Sequence, residues 1–146
     1  MIIKRKPYEL GYIDKDETTL YEWANIRRNT TGLPFDIWVD EIGKNRNTKH
    51  NELRIKVTAN NVQLDVIVHN HGEIEYANNP ADIRKFGHKK ELEDFILKVS
   101  PALKAHWNQD IDSSELGYII RQVYKNKKDL SQVLSDIGNE IINEGD

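Results

Sequence analysis

The sequence predicts an α+β fold in which an antiparallel meander of three or four strands packs against C-terminal helices. Apolar and polar residues alternate over residues 32–77, and apolar residues recur every three or four positions over residues 88–143. The first period is that of half-buried strands and the second that of amphipathic helices. Because 146 residues is the length of one ordinary domain, we interpret residues 1–146 as a single domain of three blocks.

The first block, residues 1–31, predicts an N-terminal segment with one short helix. Residues 19–22 have the form of a capping box, with Thr at the cap and Glu three positions later. Trp23 and Ile26 follow at a spacing that places them on one helical face. We therefore predict a helix near residues 18–26, which the polar run at 29–32 ends.

The second block, residues 32–77, predicts the meander. Residues 35–39, 53–58 and 62–69 each alternate between apolar and polar side chains. Asn60 and Asn61 tolerate the left-handed backbone of a tight turn, so the second and third of these segments form a hairpin. Residues 73–76 add a short further strand.

The third block, residues 88–143, predicts helices that cover one face of the sheet. Ser100-Pro101 interrupts the first helix, and we expect a kink there, or a new helix capped by Ser100. Residues 112–115 are a second capping box, and residues 126–129 precede the last helix, which could instead dock on another subunit. The apolar stripes consist of Leu92, Phe95, Ile96, Val99 and Leu103, then Leu116, Ile119, Ile120 and Val123, then Leu130, Val133, Leu134, Ile137 and Ile141.

The composition excludes several classes of protein. The chain has no Cys, so it forms no disulfide, thiolate metal site or iron–sulfur cluster. It contains no apolar run long enough to span a membrane, and its basic N-terminus lacks the apolar segment of a signal peptide. Phosphate-binding and nucleophile-elbow motifs are missing as well. We expect a cytoplasmic protein without a cofactor, and nothing in the sequence requires an enzyme.

An uneven charge distribution indicates a candidate contact surface. The net charge is −3, yet residues 1–60 carry 11 Lys/Arg against 9 Asp/Glu, whereas residues 61–146 carry 10 against 15. Trp38 occupies the outer phase of its strand, so it is either an exposed anchor for a partner or a side chain buried under a C-terminal helix. The predicted binding residues are Trp38, Arg54 and Lys56 on the outer sheet surface and Lys44, Arg46, Lys49 and His50 in the loop between two strands.

These residues favour a small soluble protein that works by binding, with a protein as the first candidate partner and a nucleic-acid-associated complex as the second. One alternative is an inhibitor of a host protein encoded by a phage or mobile element. Another is a ribonuclease or toxin in which His50 is the acid or base and nearby cations stabilise the phosphorane. His69 and His71, with Glu73 and Glu75, have the chemistry of a metal site, but polar residues at a strand end explain them better, and we assign no metal.

The sequence also resembles a group of short bacterial proteins without an assigned function. The resemblance rests on Thr30-Thr31-Gly32-Leu33-Pro34 followed by Ile37-Trp38, on Arg54-Ile55-Lys56-Val57, and on the helix end from Phe95 to His106-Trp107. It covers roughly residues 25–123. It implies that residues 32–57 are the signature region, and it implies no activity.

Overall fold

A computed structural model describes residues 23–41, 52–69 and 72–145, with side chains up to residue 138. Its core is a five-stranded antiparallel sheet in which each strand pairs with the next along the chain. This confirms the α+β class and the meander, with five strands instead of three or four. The strands are β1 (Trp23–Ile26), β2 (Asp36–Asp40), β3 (Arg54–Ala59), β4 (Val62–Val68) and β5 (Ile74–Tyr76).

The additional strand is β1, where the sequence predicted a helix. Ala24 pairs with Val39 and Ile26 with Ile37, so both side chains face the core, whereas Trp23 lies on the opposite face. The spacing of Trp23 and Ile26 fits a helix, but pairing with β2 outweighs that local preference. The rest of the predicted helix, residues 18–22, lies outside the described residues. A one-turn helix, α1 (Arg28–Thr31), then leads to β2 and ends at Gly32.

The predicted hairpin of β3 and β4 is confirmed. Ala59 pairs with Val62, and the two turn residues between them, Asn60 and Asn61, have φ values of 54° and 62°. Both are left-handed, as a two-residue hairpin turn requires. The predicted strand at 73–76 is confirmed as β5.

The connection after β5 contains a helix that the sequence did not predict. Asn79 caps α2 (Pro80–Phe86) by accepting a hydrogen bond from the Asp82 N–H, and Pro80 occupies the first position of the helix. Asn78 instead extends the sheet. Its amide accepts from the Asp65 N–H at 2.7 Å and donates to the Gln63 carbonyl at 3.0 Å.

Three longer helices complete the described chain: α3 (Lys89–Trp107), α4 (Ser113–Tyr124) and α5 (Leu130–Gly145). The predicted capping box at the start of α4 is confirmed in both of its hydrogen bonds. A new helix capped by Ser100 is wrong, because α3 continues through Pro101. Proline removes one hydrogen bond there, but Val99, Ala102 and Leu103 are buried around it and hold the helix together. None of the described helices is long and apolar enough to cross a membrane.

The main core lies between the helices and one face of the sheet, which we call the inner face. The predicted stripes of α3 and α4 are buried, as is Val133 of α5, while Leu134 and Ile137 are partly buried against the core. The side chain of Ile141 lies outside the described part. Strand residues in the core are Ala24, Ile26, Ile37, Val39, Ile55, Val57, Ala59, Val62, Leu64, Val66 and Val68.

Candidate binding surface on the outer sheet face

The other side of the sheet, which we call the outer face, carries three of the seven predicted binding residues. Trp38 and Lys56 are direct partners across β2 and β3, and Arg54 lies two residues before Lys56 in β3. Residues directly opposite in an antiparallel pair share a face, so these three side chains form one group. The outer face consists of Trp23, Asn25, Asp36, Trp38, Asp40, Arg54, Lys56, Thr58, Gln63, Asp65, Ile67 and Glu75.

The other four predicted residues, Lys44, Arg46, Lys49 and His50, lie outside the described residues. The cationic loop and the His50 alternative therefore stay predictions.

Trp38 is buried, with 5% of its surface exposed, so the exposed-anchor interpretation of its side chain is wrong. It does not belong to the main core cluster, and neither do Trp23 and Ile67, which are also buried and lie on the outer face. We call these three buried apolar side chains of the outer face the outer patch. The alternation predicted the face of Trp38 correctly and left its burial open, since Trp23 was assigned to a helix.

Cations border the outer patch. The Lys56 ammonium lies 4.8 Å from the ring centroid of Trp23, within the range of a cation–π interaction. Arg54 is half-buried, and its Nη2 lies 4.0 Å from Oε2 of Glu52. Arg28 of α1 places its Nε 3.2 Å from Oδ2 of Asp36 at the start of β2. Each of these cations is thus already held by a ring or a carboxylate.

Several polar atoms on the outer face are buried without a hydrogen-bond partner among the described residues. They are Trp23 Nε1, Arg54 Nε, Thr58 Oγ1 and Gln63 Oε1. A buried polar group that makes no hydrogen bond costs about 1–3 kcal/mol. The outer face is therefore less completely satisfied than the inner face, where the buried side chains of the sheet are apolar.

The candidate metal ligands do not follow one continuous strand. Gly72 has a φ of 88°, and its N–H bonds to the carbonyl of His69 in a tight turn between β4 and β5. This turn brings His69 Nε2 to 3.1 Å from Glu75 Oε1, while His71 is not described. Within the described ranges, no group of three or more His, Asp or Glu residues could hold a metal ion.

A polar cluster at the end of α3 was missed by the sequence reasoning. His106, with 6% of its surface exposed, places Nε2 2.8 Å from Ser113 Oγ, and the Ser113 hydroxyl donates to Glu41 Oε2 at 3.4 Å. These bonds join α3, α4 and the end of β2. The three side chains border a cavity of about 330 Å³. Its lining also includes Gln109, Asp110, Ile111, Asp112 and Glu115.

Burial lowers the pKa of His106, although the carboxylates of Glu41, Asp40 and Asp112 act in the opposite direction. Two of the cavity carboxylates, Asp112 and Glu115, are already engaged in the capping box of α4. The cluster therefore ties secondary-structure elements together. One signal was in the sequence, because His106 continues the apolar stripe of α3 three residues after Leu103.

No protein-family model, curated protein or solved structure matches this chain. The resemblance to short bacterial proteins stays a prediction.

Proposed function

We propose that this chain is a cytoplasmic binding protein that contacts a partner protein through its outer sheet face. The observation that carries the proposal is the outer patch, in which two tryptophans lie on the side of the sheet that the main core does not use. The free side of a one-sided antiparallel sheet normally carries polar residues. Trp and Arg are also the residues that contribute most to protein interfaces.

The charges of the outer face favour a protein over a nucleic acid. Arg54 and Lys56 share the face with Asp36, Asp40, Asp65 and Glu75. A nucleic-acid surface carries a clear excess of positive charge to neutralise phosphates. A mixed surface around an aromatic centre suits a protein partner with charges of both signs. An inhibitor encoded by a phage or mobile element would be a special case of such a protein.

The groups that a partner would meet first lie at the edge of the outer patch. Lys56 covers the Trp23 ring, so a partner that reaches the tryptophans has to displace this side chain. That movement would expose an indole face, and it would give a partner access to hydrogen-bonding atoms such as Trp23 Nε1 and Thr58 Oγ1. Satisfying these atoms would add to the affinity.

The test is a charge reversal, Arg54→Glu with Lys56→Glu, in a tagged full-length chain used to capture partners from a cell extract. The matched control is Lys89→Glu with Lys90→Glu, which makes the same charge change on α3, where both lysines are largely exposed. We expect one protein to be captured by the wild type and the control and lost with the outer-face variant, with both variants folded as judged by circular dichroism. The purified protein must then bind directly.

Two outcomes would count against the proposal. Equal capture by both double variants would place the contact elsewhere on the chain. Loss of capture after nuclease treatment of the extract would show that a nucleic acid is the partner instead.

A further inference from the structure

A cleft between the second half of α3 and the ends of β3 and β4 lies apart from the outer face. Its volume is about 320 Å³, which is at the lower end of the range for small-molecule sites. The lining combines an apolar floor with polar groups and one indole. The residues are Glu52, Leu53, Val68, His69, Ser100, Lys104, Trp107 and Asn108.

Lys104 differs from the other lysines of α3. Lys89 and Lys90 lie 3.9 Å from the carboxylates of Glu93 and Asp94, and Lys98 lies over the ring of Tyr124. The Lys104 ammonium has no ion pair or ring contact with any described residue. It is therefore a cation at the cleft that no described carboxylate neutralises.

The sequence of α3 explains why its own helix supplies no carboxylate to Lys104. Residues four positions away on either side share its face, and they are Ser100 and Asn108, both neutral and both in the cleft lining. Lys104 also lies in the last turn of α3, where the helix dipole favours a cation. The face thus presents one positive charge between two groups that form hydrogen bonds.

Trp107 supplies an aromatic wall. Its side chain is only partly buried, and its ring stacks on no aromatic ring of the described chain. Leu53 and Val68 provide the apolar surface beneath. The competing charge is Glu52, which lies 4.0 Å from Arg54 Nη2. An indole, an apolar floor and an ammonium that no described carboxylate neutralises are complementary to a flat ring with a negative group.

We propose that this cleft binds a small aromatic anion, with the ring against Trp107 and the anionic group on Lys104. Ser100 or Asn108, each four residues from Lys104, supplies a further hydrogen bond to the anionic group. The contact uses neither Trp38 nor the outer patch, so it is independent of the proposed protein contact.

The test follows the three indole N–H resonances of the ¹⁵N-labelled protein during titration, with Trp107→Phe identifying the resonance of Trp107. The probes are 2-naphthoate, phenyl phosphate and cyclohexanecarboxylate, at millimolar concentrations. We expect 2-naphthoate or phenyl phosphate to shift the Trp107 resonance saturably and leave those of Trp23 and Trp38 in place. Stronger binding of one than of the other identifies the anionic group. Cyclohexanecarboxylate, which lacks the flat ring, should bind more weakly.

Lys104→Met keeps the length of the side chain and removes its charge, and it should weaken binding about tenfold or more. Lys90→Met is the control, since Lys90 lies on the same helix and is exposed away from the cleft. The proposal is overturned if no aromatic anion gives a saturable shift, if the control weakens binding equally, or if cyclohexanecarboxylate binds as tightly as the aromatic probes.

Discussion

The two faces of the sheet are buried in different ways. On the inner face, apolar side chains of β1 to β4 form one cluster with the helices, and Ile74 and Tyr76 of β5 pack against it. On the outer face, two tryptophans and Ile67 are buried among charged residues, beside polar atoms that make no hydrogen bond within the described part of the chain. A low exposed fraction therefore has two meanings here. It marks a close-packed core on the inner face. On the outer face it marks a patch beside buried polar atoms that have no hydrogen-bond partner among the described residues.

The largest expected effect tests the inner face. Phe95 of α3 is fully buried and contacts the ring of Tyr124 at a centroid distance of 5.7 Å. Phe95→Ala should lower the free energy of unfolding by about 3–5 kcal/mol, because it leaves a cavity that a packed core cannot close. Urea denaturation followed by circular dichroism measures this loss. A cost below about 1 kcal/mol would show that the inner core is not close-packed.

Trp38→Ala tests the outer patch and should cost about 3 kcal/mol, the low end of the range for a buried aromatic side chain, because Trp38 lies outside the main core cluster. The same urea experiment gives the comparison, with the exposed residue Tyr118 changed to Ala as a control. A loss equal to that of Phe95→Ala would make the outer patch a second full core, and a negligible loss would make Trp38 a surface residue. Because a stability loss is expected, Trp38 is unsuitable as the variant that tests partner binding.

The smallest effect concerns the attachment of the helices to the end of β2. Burial lowers the pKa of His106 in the folded protein below the ordinary value of 6.5. The unfolded chain therefore binds the proton more readily. The contribution of His106 to stability is fully present above pH 6.5 and is lost as the pH falls through that value toward the lower pKa of the folded state.

Unfolding midpoints measured in urea between about pH 8 and pH 5 give this dependence. In His106→Gln, which does not titrate, the decline on acidification should be shallower than in the wild type. Identical slopes would show that other groups cause the acid sensitivity, because four further histidines are present.

Most of the sheet was predictable, because in β2, β3 and β4 the alternation of apolar and polar side chains and the chemistry of the turn residues indicate the same structure. The left-handed Asn60 and Asn61 fixed the hairpin, and the inner residues followed from the period. The failures occurred where a local signal competed with tertiary structure. Trp23 and Ile26 have helical spacing but pair as a strand, and Pro101 stays inside a helix because its neighbours are buried.

The candidate site was predictable only in part. The sequence placed Trp38, Arg54 and Lys56 on one face of the sheet. The alternation of apolar and polar residues along a strand shows which face each side chain occupies. It could not reveal that Trp38 is buried beside Trp23, since that depends on β1 joining the sheet. The His106 cluster depends on side chains 72 positions apart, Glu41 and Ser113, and no local pattern records such a contact.

The side chain of Asn78 has a consequence for the solubility of the fold. Strand β5 covers β4 only from Val66 to Val68, so it leaves the backbone of residues 63–65 at an open edge. An open edge can template another chain and start intermolecular β-aggregation. The Asn78 amide occupies the Gln63 carbonyl and the Asp65 N–H, and the Ala77 N–H occupies the Asp65 carbonyl. One asparagine thus closes most of this edge to self-association, without the length of a full strand.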